Sequence, residues 1–124
     1  MKVLLSIKPE FVDKIFEGTK TYEFRKTLFR REDISSIVIY ASAPIQRIVG
    51  EFRIKDILSE DVDTLWKKTK EHSGISQEYY LSYFQQKQVA YAIKIGQIIK
   101  YKKPKKLSDY NVIHAPQSFC YISD

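Results

Sequence analysis

The sequence predicts an α+β domain: a small, mostly antiparallel β-barrel with an N-terminal helix and a two-helix insertion. Two observations lead to this fold class. Six segments have the apolar character of short strands, and the period becomes helical after the first strand and again in the middle of the chain. Short antiparallel strands favour closure into a barrel, because closure removes exposed sheet edges. The length of 124 residues fits a single domain over 1–124.

The N-terminal part is predicted to contain a strand, a helix and a second strand. Val3–Ile7 is a short apolar run, and Pro9 suits the first position of a helix. Gly18 is suited to end that helix. The apolar residues at helical spacing between them are Phe11, Val12, Ile15 and Phe16. After the turn, Thr21–Lys26 alternates as a strand does.

Four more strands are predicted from apolar runs later in the chain. They are Ser36–Ala41, Ile48–Ile57, Val89–Tyr101 and Ser118–Ile122. Gly50 lies inside the second of these runs, where a glycine indicates a bulge or a close approach of two backbones.

The two-helix insertion is predicted in the middle of the chain. Ser59 or Asp61 can cap its first helix, Gly74 breaks that helix, and Ser76 can cap the second. The second helix carries an aromatic stripe, which favours packing on the barrel over a base-stacking platform. The members of the stripe are Tyr79, Tyr80, Tyr83 and Phe84.

Charge and composition narrow the class of protein. The net charge of +6 favours an anionic partner, nucleic acid first. The single cysteine, Cys120, excludes an internal disulfide and a cysteine zinc cluster. We predict no metal site and no cofactor, since His72 and His114 lack a carboxylate cluster and no dinucleotide or phosphate-loop motif occurs. The absence of a long apolar run predicts a cytoplasmic protein with no membrane partner.

The stretch GTKTYEFRK carries the most concentrated polar pattern. Gly18, Lys20, Glu23 and Arg25 have the spacing G-x-K-x-x-E-x-R, and on a strand the last two share one face. Tyr22 and Phe24, on the other face, are expected inside the barrel. The charged face then lies either in water, as a weak ion pair, or under the insertion, as a binding surface. Periodicity alone slightly favours the solvated strand.

The sequence resembles the ASCH domain of the PUA-like superfamily, which has the signature G-x-K-x-x-E-x-R. Its first strand and helix are similar to LLSIKPEFVDKIFEG, a Gly-Glu strand is similar to IVGEFRI, and PQSF matches Pro116–Phe119. The resemblance covers nearly the whole chain. It implies a barrel with a cleft beside the signature that binds RNA or a nucleotide-like ligand, in a setting such as the regulation of transcription or translation.

Roles follow from this resemblance for several polar residues. Lys20 would meet a phosphate or a substrate carbonyl, Glu23 would accept hydrogen bonds from a base, and Arg25 would hold Glu23 or stack on a ring. The residues assigned to ligand binding are Lys8, Lys20, Glu23, Arg25, Tyr40, Ser42, Glu51, Gln117 and Ser118.

Five of these assignments have structural alternatives. Lys8 can be a plain surface lysine, and Tyr40 is more typical of a core residue. Glu51 can pair with Arg53 or Lys55 across neighbouring strands. The alternative for Gln117 and Ser118 is turn chemistry after Pro116.

The alternative function is a small hydrolase acting on a modified nucleoside or on RNA. Some relatives are amidohydrolases acting on acetylated cytidine, and the resemblance implies a Lys and a Thr of the signature with a Glu from the insertion. Here Lys20 is kept, Glu23 stands where the Thr would be, and Thr21 is displaced. Neither Glu71 nor Glu78 matches the required glutamate. We therefore favour binding over catalysis; in an enzyme, Lys20 and Glu23 would be catalytic. A third hypothesis is a module that binds only proteins.

A second basic feature is KYKKPKK, predicted to be an exposed loop because Pro104 disfavours a sheet ladder. Bound to RNA, such a loop contacts phosphates and makes the affinity depend on salt. The alternative is a solubilising loop. Nearby, Tyr101 and Tyr110 could stack bases, although packing is the commoner role. The residues assigned to phosphate contacts are Lys100, Lys102, Lys103, Lys105 and Lys106.

Overall fold

Six strands and three α-helices make up the computed structural model, which describes residues 1–124. The strands are β1 (Lys2–Ile7), β2 (Tyr22–Arg25), β3 (Ser36–Ala41), β4 (Arg47–Asp61), β5 (Val89–Lys105) and β6 (Phe119–Ile122). The α-helices are α1 (Pro9–Glu17), α2 (Val62–Thr69) and α3 (Gln77–Tyr83), with 3₁₀ turns at Lys70–His72 and Leu107–Tyr110. The α+β class, the N-terminal helix and the two-helix insertion are confirmed. No helix is long and apolar enough to cross a membrane.

All six strands belong to one mixed sheet in the order β2-β5-β4-β3-β1-β6. Only β1 and β3 are parallel, so the mostly antiparallel sheet is confirmed. The predicted closure is wrong, because the end strands β2 and β6 do not pair with each other. Beside β2, the gap is spanned by a side chain: Nη2 of Arg25 donates to the carbonyl oxygen of Ser6 at 2.8 Å. We call this gap, between Tyr22–Arg25 and the residues Ser6 and Ser118, the seam.

The helix ends follow the local signals in the sequence. Gly18 ends α1 with a φ of 86°, and its N–H donates to the carbonyl oxygen of Ile15. Of the two predicted caps for α2, Asp61 is used and accepts from the N–H of Thr64 at 2.8 Å. Ser76 caps α3, as predicted.

The two faces of β2 are the reverse of the prediction. Phe24 packs under the insertion, with its ring centroid 5.2 Å from that of Tyr80 and 6.2 Å from that of Phe84. The aromatic stripe offers Phe24 an apolar surface outside the sheet, which the pattern of β2 alone does not reveal. Glu23 therefore faces inward, paired in register with the core residue Ile93.

The lysines of Lys100–Lys106 are exposed, as predicted, but the prediction that this segment is a loop is wrong, since β5 continues to Lys105. Strand β2 pairs only with Tyr91–Lys94, so the basic end of β5 has β4 as its neighbour on one side only. Pro104 is compatible with this part of β5, because proline lacks a backbone N–H and no strand on the unpaired side needs that donor. Lysines are typical of exposed sheet edges, where they oppose pairing with other chains.

The expected close approach at Gly50 is confirmed. A Cβ atom there would lie 2.5 Å from the carbonyl oxygen of Ile99 and 2.9 Å from the ring of Phe16. Helix α1 is thereby seated directly on β4 and β5, and its other end lies beside the seam.

Candidate functional site

A cavity of about 530 Å³ lies at the seam, within the range of small-molecule sites. Residues from β1, α1, β2, α3 and the segments around Ser42 and Ser118 form its walls. Seven of the nine residues assigned to ligand binding from the sequence line it. They are Lys8, Lys20, Glu23, Arg25, Ser42, Gln117 and Ser118.

The other two assigned residues lie elsewhere. Tyr40 is buried in an apolar cluster with Leu4 and Ile48, which matches the alternative of a core residue. Glu51 accepts hydrogen bonds from Nζ of Lys2 at 2.9 Å and from the hydroxyl of Tyr101 at 2.7 Å, in a separate depression. Glu51 therefore lies outside the cavity and pairs with neither Arg53 nor Lys55. Strands β1 and β5 instead bring Lys2 and Tyr101 to its carboxylate.

A buried ion pair forms one wall of the cavity. Oε2 of Glu23 lies 2.9 Å from Nη2 of Arg25, and their side chains are only 7% and 9% exposed. Oε1 of Glu23 makes no hydrogen bond within the chain, and Nε of Arg25 is buried without a partner. The pair therefore leaves one acceptor and one buried donor without a partner, and a buried unmet donor costs about 1–3 kcal/mol.

Lys20 lies beside this pair and is 2% exposed. Its Nζ donates to the carbonyl oxygen of Ser73 at 2.8 Å and lies 4.9 Å from the ring centroid of Phe24. Burial lowers the pKa of Lys20 from 10.5 to about 8, against the opposing attraction of Glu23. The ammonium group is thus charged at neutral pH and close to its titration range.

Two tyrosines of α3 stand at the mouth of the cavity. The rings of Tyr79 and Tyr83 are stacked, with centroids 6.3 Å apart and planes at 10°. Nζ of Lys8 lies 5.3 Å from the ring centroid of Tyr79, and Nζ of Lys26 lies 4.8 Å from that of Tyr83. The aromatic stripe therefore divides: Tyr80 and its neighbour Phe84 pack inward as predicted, whereas Tyr79 and Tyr83 line the cavity.

Sequence reasoning missed these two tyrosines and several rim residues. The four-residue spacing of Tyr79 and Tyr83 was the signal that could have found them, because it places both rings on one helical face. Lys26 directly follows the signature, whereas nothing local marks Lys87.

The walls of the cavity carry a strong positive excess. Five cationic side chains line it, against one carboxylate, so four positive charges are uncompensated. Of the five, only Arg25 is in an ion pair. An anion is therefore the complementary ligand charge.

The lysines assigned to phosphate contacts lie outside the cavity. Nζ of Lys100 lies 5.5 Å from the ring centroid of Phe16, whereas Nζ of Lys105 lies 4.7 Å from that of Tyr101 and 5.6 Å from that of Tyr110. Their role as phosphate contacts stays a prediction. The remaining three, Lys102, Lys103 and Lys106, are exposed.

Known proteins resemble the chain in sequence and in structure. The family model of the ASCH domain matches residues 5–99. The crystal structure of ASCH from Zymomonas mobilis superimposes with a TM-score of 0.88 at 28% identity, over 98% of this chain and 87% of that one. A protein of the same organism named ASCH domain-containing ribonuclease is 30% identical over 98% of this chain and 84% of its own length.

A third relative is much longer. The ATP synthase subunit alpha of Ureaplasma parvum is 31% identical over 97% of this chain, but the chain spans only 15% of the length of that relative.

Proposed function

The chain belongs to the ASCH domain family, and we propose that it binds RNA by taking one nucleotide into the cavity at the seam. The observation that carries this proposal is the buried Glu23–Arg25 pair, which holds a free acceptor and a free donor at the wall of a positively charged cavity. The name of the relative from Zymomonas mobilis, a ribonuclease, supports RNA as the ligand class.

Each part of the site has a place in this mode of binding. A base stacks on Tyr79 and Tyr83, because base–aromatic stacking accepts any base. Oε1 of Glu23 accepts from an N–H or O–H group of the nucleotide. Lys8 and Lys26 move from the tyrosine rings towards phosphates, which position the strand without reading its sequence.

Anisotropy of a labelled single-stranded RNA tests this mode. Tyr79→Ala should weaken binding about tenfold, within the range of about 1–3 kcal/mol for stacking of one base. Tyr110→Ala is the matched control, because this tyrosine packs beside the basic end of β5 and outside the cavity. Loss of binding in Tyr110→Ala with none in Tyr79→Ala would locate the RNA on β5 and refute the proposal.

A second candidate function is RNA hydrolysis in the same cavity, favoured by the name of that relative and by the lowered pKa of Lys20. Glu23 would take the proton of a 2′-hydroxyl as its oxygen attacks the phosphorus and the bond to the 5′-oxygen breaks. Lys20 would stabilise the charge on the phosphate and protonate the departing oxygen. Turnover of labelled RNA to cyclic-phosphate ends, lost in Glu23→Gln, would support this cleavage step, a transesterification that precedes any hydrolysis of the cyclic phosphate. RNA that is bound but stays intact would reject this second function.

Hydrolysis of acetylated cytidine has less support. Glu23 occupies the position of the expected hydroxyl group, and Thr21 does not line the cavity. Its hydroxyl instead donates to the carbonyl oxygen of His72 at 3.5 Å. We expect no release of acetate by the purified protein. Sustained release that disappears in Glu23→Gln would contradict this expectation.

A further inference from the structure

The donors in the cavity point to a more specific ligand group. Nε of Arg25 is buried without a partner, and the ammonium group of Lys20 meets only one carbonyl oxygen. Both belong to cationic side chains that line the same cavity. Donors of this type make their strongest hydrogen bonds to anionic oxygens.

The number of charges limits which anion fits. Four positive charges are uncompensated around a cavity of about 530 Å³, a volume typical of small-molecule sites, so a ligand that concentrates negative charge in a small group is favoured there. An internal nucleotide of RNA contributes one negative charge per phosphodiester. A phosphate monoester carries about −1.5 to −2 at neutral pH and offers three strong acceptor oxygens. A nucleoside with free hydroxyls contributes no charge at all.

We propose that the cavity selects a nucleotide that bears a phosphate monoester, as at a phosphorylated end of an RNA strand. Arg25 and Lys20 hold the phosphate from the wall, and the exposed lysines Lys8 and Lys26 approach it from the mouth. The base of the same nucleotide stacks on the tyrosines of α3. This inference rests on the proposed binding of RNA in the cavity and adds the chemical group that is recognised there.

Titration calorimetry with matched strands tests the inference. Three short RNAs of one sequence carry a 5′-phosphate, a 3′-phosphate or hydroxyls at both ends, and a hydroxyl-ended strand two nucleotides longer matches the total charge. We expect one of the phosphate-ended strands to bind at least about tenfold more tightly than both hydroxyl-ended strands, as for one charge-assisted hydrogen bond. A free mononucleotide that binds as tightly as the strand also supports the inference and identifies the source as a free nucleotide.

For each variant we compare the affinity for the phosphate-ended strand with that for the hydroxyl-ended strand. A general loss of RNA affinity lowers both values and leaves their ratio unchanged. Arg25→Lys keeps the charge beside Glu23 but removes the Nε donor, and it should lower the preference about threefold or more. Lys26→Gln, at an exposed position, should also lower it without a risk to folding. Lys102→Gln makes the same charge change at an exposed position outside the cavity and should leave the ratio unchanged.

The possible failures can be told apart. Equal binding of phosphate-ended and hydroxyl-ended strands overturns the phosphate inference while the binding of RNA stands. A preference that falls equally in Lys102→Gln and Lys26→Gln also overturns it, because the effect then comes from overall charge. Binding of no strand at all overturns both proposals.

Discussion

Removal of Glu23 should destabilise the protein strongly, although the residue lies in a candidate binding site. Glu23→Ala leaves the guanidinium of Arg25 buried, with the carbonyl oxygen of Ser6 as its remaining partner. Breaking a buried ion pair in this way costs about 3–5 kcal/mol. In a chain of this size about 1 kcal/mol shifts Tm by about 4 °C, so Tm should fall by about 12–20 °C at neutral pH.

Thermal unfolding followed by circular dichroism, on single and double variants, measures this effect. The double variant Glu23→Leu with Arg25→Met should recover part of the loss, with a coupling of about 0.5–3 kcal/mol, because no unpaired charge remains. Asp33→Ala breaks an exposed pair with Arg31, whose side chain is 47% exposed, and should leave Tm unchanged. A Tm for Glu23→Ala within about 2 °C of the parent protein would refute the reasoning, and strict additivity in the double variant would refute the coupling.

The remaining predictions concern charge and backbone. The affinity for phosphate-ended RNA should fall above pH about 8, because the ammonium of Lys20 then loses its proton, and it should also fall below pH about 6, because the phosphate then gains one. The unfolded chain holds that proton up to pH 10.5, so stability should rise with pH between the two values, and Lys20→Met should remove this rise. Gly74→Ala should lower Tm and RNA affinity more than Gly18→Ala: both have positive φ, but only at Gly74 does the new Cβ meet Lys20, at 2.6 Å. Charge reversal of the three lysines in Lys102–Lys105 should reduce the slope of log RNA affinity against log salt concentration by about 0.7–0.9 for each phosphate that they no longer neutralise. An unchanged slope would mean that these lysines serve solubility alone.

Local signals predicted the elements and seven of the seventeen residues that line the cavity. Gly18, Asp61 and Ser76 end or begin helices through contacts within a few residues, so their types and spacing are sufficient. The signature residues Lys20 to Arg25 follow α1 directly, and the turn after Gly18 brings them to the seam.

Non-local packing decided what the sequence did not predict. The alternation in β2 is the same whichever face is buried, and only the aromatic rings of Tyr80 and Phe84 place Phe24 outside and Glu23 inside. The same limit applies to Lys100–Lys105, which is a strand because β4 supplies a partner far away in sequence. The separation of Glu51 from the cavity likewise depends on Lys2, which β1 contributes.

The proposed phosphate-bearing ligand would account for both the open seam and the buried charges. Stability alone does not favour the arrangement, because replacing a buried ion pair by apolar residues is often neutral or stabilising. A charged Lys20 is disfavoured by burial, and Nε of Arg25 lacks a partner. A ladder of backbone hydrogen bonds between the end strands β2 and β6 would satisfy both edges of the sheet, but it would also remove the cavity. An anionic group in that cavity would compensate the charge of Lys20, offer an acceptor to Arg25 and occupy the space that closure would fill. The features that weaken the free protein are therefore those that a phosphate-bearing ligand would stabilise.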